Sequence, residues 1–271
     1  MKKLSRLSSG LYILLCFGFF YLPIIITVIF SFNSSKSLTH FTGFSLKWYS
    51  ELLRDSNIMS AVSVSITIAI ISTAISTVLG TLTAIGLSKN KKIIKELLLS
   101  VNNIPVMNPD IVTAIGLMIF FSALKFEKGY LTMLIAHISF STPYVITSVY
   151  PKIRELDPNL ANAAMDLGAT PTQALLKVII PILKPGIYAG MLLAFTMSFD
   201  DFIISYFVTG NGVMNISIIV YNMTKRTNPT INALSSIVIL VIITALIITN
   251  IVVPKIRKKG GSEPAACRSL K

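Results

Sequence analysis

Three aspartates lie in parts of this sequence that otherwise have the composition of a membrane interior. Asp200 and Asp201 are adjacent in M-S-F-D-D-F-I-I-S, inside an apolar run from Ile187 to Val208, and Asp110 follows a proline in N-P-D-I-V. A charge at the centre of a membrane helix costs about 2.5–3.5 kcal/mol. Since the surrounding apolar cores contain no Lys or Arg, we expect a cation from outside the chain to balance these carboxylates.

Each aspartate also has a structural interpretation, which the residues alone leave open. Asp110 is placed to cap a helix that restarts after the proline, a role that is compatible with ligand binding. Successive side chains on a helix point about 100° apart. We therefore expect at most one of Asp200 and Asp201 to face a pathway, and the other to bond to Ser198, Ser205 or a neighbouring helix.

Aromatic side chains recur at helical spacing around the paired aspartates, at Phe195, Phe199, Phe202 and Tyr206. Most of them are expected to pack against neighbouring helices. Phe199 and Tyr206 are the candidates for lying against the methylenes or ammonium groups of a cationic ligand. His137, in another apolar run, is expected to be a hydrogen-bonded core residue. Gly186 and Gly190 form a G-x-x-x-G pattern, which is typical of close helix packing.

The composition is that of a polytopic membrane protein. Hydrophobic residues make up 53% of the chain and charged residues 13%, whereas a soluble domain is about a quarter charged. The 24 Lys and Arg outnumber the 11 Asp and Glu, which in a membrane protein indicates loops facing anionic lipid rather than nucleic acid. Cys16 and Cys267 lie in an apolar run and in a tail, so no structural disulfide is expected.

The apolar residues fall into six runs long enough to cross a bilayer, which takes about 20 residues per helix. Pro105 and Pro109 predict a kink or break in the third run. The first run is too long for a signal-peptide core and lacks a small-residue cleavage site, so it is interpreted as a retained span. The predicted spans are Leu11–Phe32, Ile58–Leu87, Leu97–Leu124, Tyr130–Tyr150, Pro185–Val208 and Ile231–Val253.

Basic residues set the orientation of these spans. They concentrate before the first run, after the second and fourth runs, and after the sixth. With six spans all these segments fall on one side, which the positive-inside rule makes cytoplasmic. We therefore predict two cytoplasmic termini and a transmembrane domain over residues 1–259. Residues 260–271 change composition abruptly and are interpreted as a disordered tail or a cloning remnant.

The loop 151–184 is far longer than the other basic loops and carries helix signals of its own. Asp157 and Pro158 are typical of a helix start, and Gly168 of a helix end. The short helix between them presents a mildly apolar face of small residues, which suits a shallow cleft on a partner. The alternative is a hairpin that packs on its own membrane domain. The mildly apolar face of the short helix comprises Leu160, Ala163, Ala164 and Leu167.

A second helix is predicted directly after the first. Thr170 is its N-cap, Pro171 stands at the first helical position, and Gln173 completes a capping box. Pro181 and Pro185 are expected to end it. The loop is therefore predicted to contain two short helices joined by a tight turn.

The segment A-N-A-A-M-D-L-G, followed by V-I-I-P, resembles the E-A-A loop of ABC importer permeases. Ala163 and Ala164 match the alanines of that pattern, Gly168 its glycine and Pro181 its proline, while Asn162 stands where the family usually has glutamate. The resemblance implies that these paired helices insert into a cleft on a cytoplasmic ATPase. The residues assigned to this coupling are Asn162, Ala163, Ala164, Asp166, Gly168, Pro171 and Pro181.

A narrower resemblance rests on S-F-D-D-F, Y-F-V-T-G, N-P-D-I-V, S-F-N-S-S and K-W-Y-S. These motifs look like those of PotC-type permeases in spermidine and putrescine importers. The resemblance implies an all-α, polytopic type I ABC importer permease fold with six transmembrane helices and a cytoplasmic coupling helix pair. It also implies a bacterial inner-membrane location. By charge logic, the substrate pathway is assigned to Asp110, Phe199, Asp200, Asp201 and Tyr206.

The same resemblance implies three protein partners and no catalysis by this chain. The partners are a second permease subunit, a cytoplasmic ATPase dimer and an extracytoplasmic polyamine-binding protein. The outer segments 33–57 and 210–230 are expected to receive the binding protein. The sequence contains no G-x-x-x-x-G-K-[ST] loop. ATP is therefore expected to be used by the partner ATPase, and no cofactor, metal or nucleic acid is expected on this chain.

Two other functions compete with this hypothesis. A proton-coupled secondary transporter of a small organic cation would also use membrane aspartates, but it predicts an internal repeat that the sequence does not display. An intramembrane aspartyl protease would need two carboxylates as a dyad. Its Gly-flanked aspartate motif is missing, and Asp200 and Asp201 are adjacent in sequence, which disfavours this class.

Overall fold

A computed structural model describes residues 2–37, 39–210, 212–225 and 229–247. The proposed tail at 260–271, the basic segment before it and the end of the sixth predicted span lie outside the described residues. The chain divides into two compact units. The first is formed by the residues up to Ser56 together with the described residues from Met223 onward, and the second spans Asn57–Asn222.

The first unit contains an exposed apolar helix and a short amphipathic one. The stretch Tyr12–Phe30 has a mean hydropathy of 2.7 and buries none of its side chains within the chain. Trp48, on the short helix, is 2% exposed, and its indole N–H donates to the Asn33 carbonyl at 2.7 Å. The helices of this unit are α1 (Lys2–Phe30), α2 (Lys47–Arg54) and α12 (Thr230–Ile247).

The second unit carries the remaining helices and the predicted functional residues. They are α3 (Ser56–Ser88), α4 (Lys92–Met107), α5 (Asp110–Ala123), α6 (Tyr130–Arg154), α7 (Leu160–Asp166), α8 (Pro171–Ala174), a π-helical turn (Leu175–Ile179), α9 (Ile180–Asp200), α10 (Ile203–Val208) and α11 (Ile216–Lys225). No strand occurs among the described residues, where β-pairing is limited to one isolated bridge between Asn33 and Phe44. The all-α prediction is therefore confirmed.

Small residues let α3, α6 and α9 approach closely. A Cβ atom added to Gly190 of α9 would lie 3.1 Å from Val145 Cα of α6, and one added to Gly186 would lie 2.9 Å from Lys152 Cγ. On α3, a Cβ atom added to Gly80 would lie 2.6 Å from Val145 Cβ. The G-x-x-x-G pattern therefore marks a packed helix interface, as predicted.

The number of spans is not confirmed as six. Four helices of the described chain are long and apolar enough to cross a membrane, or up to five if the bent pair α4–α5 is one span. The pair is bent by 105°, which confirms the break predicted from Pro105 and Pro109. In the region of the sixth predicted span, the described part of α12 contains the apolar stretch Thr230–Thr244, and the end of the predicted span lies outside the described residues.

One predicted helix end is wrong. Pro181 and Pro185 do not terminate the second loop helix, because the chain stays helical from Pro171 to Asp200. The Ile180 N–H bonds the Leu175 carbonyl, five residues earlier, which makes a π turn just before Pro181. This wider turn changes the hydrogen-bond register where a proline cannot donate, so the helix passes through.

Candidate functional site

Two interrupted helices bring the predicted carboxylates into one region of the second unit. Helix α5 begins at Asp110, directly after the break, and α9 ends at Asp200, where the backbone of Asp201 turns extended. Beyond the breaks, α5 and α10 share an apolar cluster that includes Phe121 and Val208. Asp110 is close enough to Asp201 for their charges to interact.

Asp201 is held by the helix that follows it. Its side chain is 8% exposed. One carboxylate oxygen accepts from the Ser205 N–H at 2.7 Å and from the Ser205 hydroxyl at 2.8 Å. The other accepts from the Ile204 N–H at 3.2 Å. These bonds satisfy the free donors at the start of α10, so Asp201 takes the structural role that was expected of one member of the pair.

His137 connects this cap to the neighbouring helices. Its Nε2 atom lies 3.0 Å from the Ser205 hydroxyl oxygen and 3.6 Å from the Asp201 carboxylate, and its Nδ1 atom lies 2.7 Å from the Ser198 hydroxyl oxygen. Ser198 in turn is 2.9 Å from Ser72 on α3. The prediction of a hydrogen-bonded core histidine is confirmed, and the network joins α3, α6, α9 and α10.

Asp200 and Asp110 are exposed, in contrast to Asp201. Asp110 occupies the first turn of α5, where the partial positive charge of a helix N-terminus favours a carboxylate. The N-cap position itself is occupied by Pro109, so Asp110 stands at the first helical position. It also lies close enough to the Tyr144 hydroxyl to interact electrostatically. These two carboxylates are therefore available to a ligand.

The two aromatic candidates lie in separate ring contacts. Tyr206 is 49% exposed, and its ring centroid lies 5.5 Å from that of Phe202 and 6.0 Å from that of Tyr221. Phe199 stacks on Phe195 with a centroid separation of 5.9 Å. Tyr206 thus combines a packed ring with an accessible face, while one face of Phe199 is taken by another ring.

The loop helices have the capping that was predicted. Gly168 has φ +89°, its N–H bonds the Met165 carbonyl at 2.9 Å, and the Ala169 N–H bonds the Ala164 carbonyl at 3.1 Å. This pair of bonds is a Schellman ending. Thr170 and Gln173 form the reciprocal capping box. The helix start differs slightly, because a turn precedes Leu160 and the helix begins two residues after Pro158.

The face of α7 is divided between packing and exposure. Leu160 and Ala164 are half-buried, so part of the predicted face packs on the chain itself. Leu167 is 91% exposed. The remaining coupling candidates Asn162, Ala163, Asp166, Gly168, Pro171 and Pro181 are also exposed.

Sequence reasoning missed several residues that complete the region. Asn215 donates to the Asp201 carbonyl at 2.8 Å and to the Ser205 hydroxyl oxygen at 2.9 Å, and its Oδ1 atom accepts from the Ile218 N–H at 2.9 Å. Asparagine directly before an apolar helix is an N-cap signal that was available in the sequence. Ser72 gives no such signal, because its bond to Ser198 spans 126 residues.

Comparison with known proteins places the chain in a family. The model of the binding-protein-dependent transport system inner membrane component matches residues 76–258. The putrescine transport system permease protein PotI of Escherichia coli K12 is 39% identical over 235 residues, which cover 84% of each chain. The spermidine/putrescine transport system permease protein PotC of the same strain is 34% identical over 260 residues, covering 96% of this chain and 98% of PotC.

Solved structures support the same fold. A bacterial ABC transporter involved in alginate import matches with a TM-score of 0.72 and 17% identity, covering 95% of this chain and 96% of that chain. The alginate transporter in complex with a pentasaccharide-bound periplasmic protein matches with a TM-score of 0.66 and 14% identity, covering 90% and 94%. The chain therefore belongs to the family of binding-protein-dependent transport system inner membrane components and is a multi-pass membrane permease subunit.

Proposed function

We propose that this chain is a membrane-spanning permease subunit of an ATP-driven importer for polyamines such as spermidine or putrescine, and that it forms half of the translocation pathway. The observation that carries the proposal is its similarity, over nearly its whole length, to permeases named for the transport of these compounds. Polyamines carry several ammonium groups separated by methylenes. Separated carboxylates and aromatic rings in an apolar setting suit such a ligand.

We assign Asp200 and Asp110 as the main carboxylates of the pathway, because both are exposed at helix breaks. Tyr206, on α10 just after the break, has an accessible ring face, and Phe199 directly precedes Asp200 on α9. Asp201 lies near Asp110, and its oxygens already accept hydrogen bonds from α10. Its main role is structural, because it stabilises the break between α9 and α10.

The transport cycle requires partners on both sides of the membrane. A second permease subunit completes the pathway, and a cytoplasmic ATPase dimer receives the exposed parts of α7 and the turn at Gly168. A binding protein delivers the polyamine to the segments 33–57 and 210–230. This arrangement places both termini and the loop 151–184 in the cytoplasm, in accord with the basic residues there. ATP closes the ATPases, which moves the loop helices and alternates access.

A proton-coupled secondary transporter is not favoured, because the family to which the chain belongs depends on binding proteins. This alternative predicts polyamine uptake by the isolated chain in response to a proton gradient. The proposed function predicts none without the ATPase.

The test is uptake of radiolabelled spermidine and putrescine by the complete importer in liposomes, with loaded binding protein and internal ATP. Asp200→Asn should lower uptake at least several-fold while the complex still assembles, because the variant keeps the side-chain size and removes the charge. Glu96→Gln is the matched control, since Glu96 is an exposed carboxylate outside the breaks. Wild-type uptake by Asp200→Asn and Asp110→Asn together would refute the assigned pathway residues, and a complex that transports no polyamine at all would refute the substrate class.

A further inference from the structure

A cavity of about 380 Å³ opens in the second unit where two membrane helices leave the apolar region. Ser88 and Arg154 both line it, and they are the last residues of α3 and α6. Lys89 and Lys95, on the connection to α4 and in its first turns, also face the cavity. Its volume is in the range of small-molecule sites, so it is a concave site of ligand size with three cations on its wall.

In the part of the chain that the structure describes, these three cations have no carboxylate partner. Within the described residues, no ion pair forms at Lys89, Lys95 or Arg154. Cations that line a concave, partly apolar site create a local field that attracts anions. Two lysines nearby but off the cavity wall do pair, Lys92 with Glu96 at 3.9 Å and Lys152 with Glu155 at 2.8 Å.

The other polar groups on the wall do not cancel this charge. Asp157 is the one carboxylate among the lining residues, and one of its oxygens accepts from the Asn159 N–H at 2.9 Å. The Ser88 hydroxyl donates to the Ile85 carbonyl at 2.7 Å. The lining therefore keeps an excess of two positive charges.

The rest of the wall is mostly apolar and continues onto α4, a helix without a fully buried side chain. Ile153 and Leu175 line the cavity beside the cations. Helix α4, which starts at its edge, has no buried side chain, and Ile94 and Leu98 are 45% and 44% exposed. A ligand with an anionic head and hydrocarbon chains would match both parts, whereas a free inorganic anion would use only the first.

We propose that this cavity binds the phosphate group of an anionic phospholipid, with the acyl chains along α4. Arg154 offers a planar donor pair to the phosphate and the two lysines offer point charges. Because Pro158, Ala161 and Pro171 also line the cavity, the bound headgroup fills the space under the loop helices and holds them against α3 and α6. The inference goes beyond polyamine transport and rests only on the membrane setting of the chain.

The test measures lipid retention directly. The importer is reconstituted in nanodiscs of phosphatidylcholine containing phosphatidylglycerol and is released for native mass spectrometry. Lys89→Gln/Lys95→Gln/Arg154→Gln should retain several-fold less phosphatidylglycerol than the wild type. Lys91→Gln/Lys177→Gln/Lys184→Gln is the control, because it removes the same charge from exposed positions of the same loops that do not line the cavity. It should retain lipid normally.

Added inorganic phosphate tells a lipid site from a simple anion site. Phosphatidylglycerol should stay bound when inorganic phosphate is present in excess, since the acyl chains contribute to binding. Displacement by phosphate, or equal retention by the cavity and control variants, would overturn the proposal. If the triple variant does not assemble, the single variants Lys89→Gln and Arg154→Gln are measured in its place, and each should lower retention. None of these outcomes depends on polyamine uptake. The lipid-site proposal and the proposed transport function are therefore tested independently.

Discussion

The backbone N–H and the hydroxyl of Ser205 both bond the same carboxylate oxygen of Asp201, at 2.7 and 2.8 Å. Because the Ser205 hydroxyl donates to Asp201, its oxygen must accept from Asn215 and from His137 Nε2. His137 then carries its proton on Nε2, and Nδ1 accepts from the Ser198 hydroxyl. Each hydrogen bond in this network therefore has one donor and one acceptor, and the Asp201 carboxylate acts only as an acceptor.

Replacing Asp201 should destabilise the protein more than replacing its neighbour. Asp201→Ala removes three hydrogen bonds to a largely buried carboxylate and leaves their donors unsatisfied, which should cost about 2–4 kcal/mol. Asp200→Ala removes an exposed carboxylate and should cost little. The measurement is the thermal unfolding midpoint of the two purified variants in the same detergent.

Rescue by a neutral isostere separates hydrogen bonding from charge. Asp201→Asn keeps one acceptor oxygen and should recover part of the lost stability, whereas Asp201→Leu should not. Equal unfolding midpoints for Asp200→Ala and Asp201→Ala would show that the cap at α10 contributes nothing to stability.

The two helix breaks differ in how far the sequence predicts them. The break before Asp110 follows from Pro105 and Pro109, which remove backbone donors within a few residues. The break after Asp200 has no proline or glycine near it. It depends on the local cap that Asp201 forms on α10, and also on Asn215 and His137, which reach it from other parts of the chain. Contacts of that range leave no local pattern, so only the presence of two carboxylates indicated a special site there.

Filling the contact between α3 and α6 should destabilise the helix packing. In Gly80→Ala the new Cβ atom would lie 2.6 Å from Val145 Cβ and 3.2 Å from the Thr142 carbonyl oxygen. The backbones must separate, at a cost of about 1–3 kcal/mol. Gly116→Ala is the control, because its Cβ atom would meet nothing within 4 Å. Thermal unfolding in detergent should show a lower midpoint for the first variant alone, and unchanged midpoints in both would mean that the interface is loosely packed.

Asn33 should control the order of the segment that we assign to the binding protein. It is 1% exposed, and its amide donates to the Ser37 and His40 carbonyls at 2.9 and 2.8 Å, while its Oδ1 atom accepts from the Thr42 N–H. Asn33→Asp is nearly isosteric but places an oxygen against two carbonyl oxygens. We expect faster proteolysis between residues 34 and 44 and weaker stimulation of the ATPase by loaded binding protein.

The matched control for this variant is Asn90→Asp, which makes the same chemical change at an exposed position between α3 and α4, outside the apolar spans. Normal proteolysis and normal ATPase stimulation in Asn33→Asp would contradict the assigned role of the amide. Faster proteolysis with normal stimulation would keep the structural role and remove the segment from the docking surface.

The loop helices were predicted well where capping is local and poorly where it is not. Thr170 and Gln173 satisfy each other across three residues, so their pattern is sufficient. Pro181 ends helices in most settings, but here a π turn precedes it. Whether such a turn forms depends on how the loop packs on the membrane helices. The sequence alone does not contain that information.

Gly168 should determine how the two loop helices are joined. Its φ of +89° is unfavourable for a residue with a side chain, although a Cβ atom there would meet nothing within 4 Å. Gly168→Val therefore changes only the backbone preference, by about 1–2 kcal/mol. Because the cost falls on an exposed turn, the membrane domain should keep its unfolding midpoint while the coupling helices lose their fixed angle. We expect ATP hydrolysis by the assembled importer to become less dependent on loaded binding protein, with uptake per ATP lowered several-fold.

Gly168→Asn should be intermediate, since asparagine tolerates a positive φ better than valine does. Equal uptake per ATP in Gly168→Val and the wild type would show that the Schellman ending is not needed for coupling.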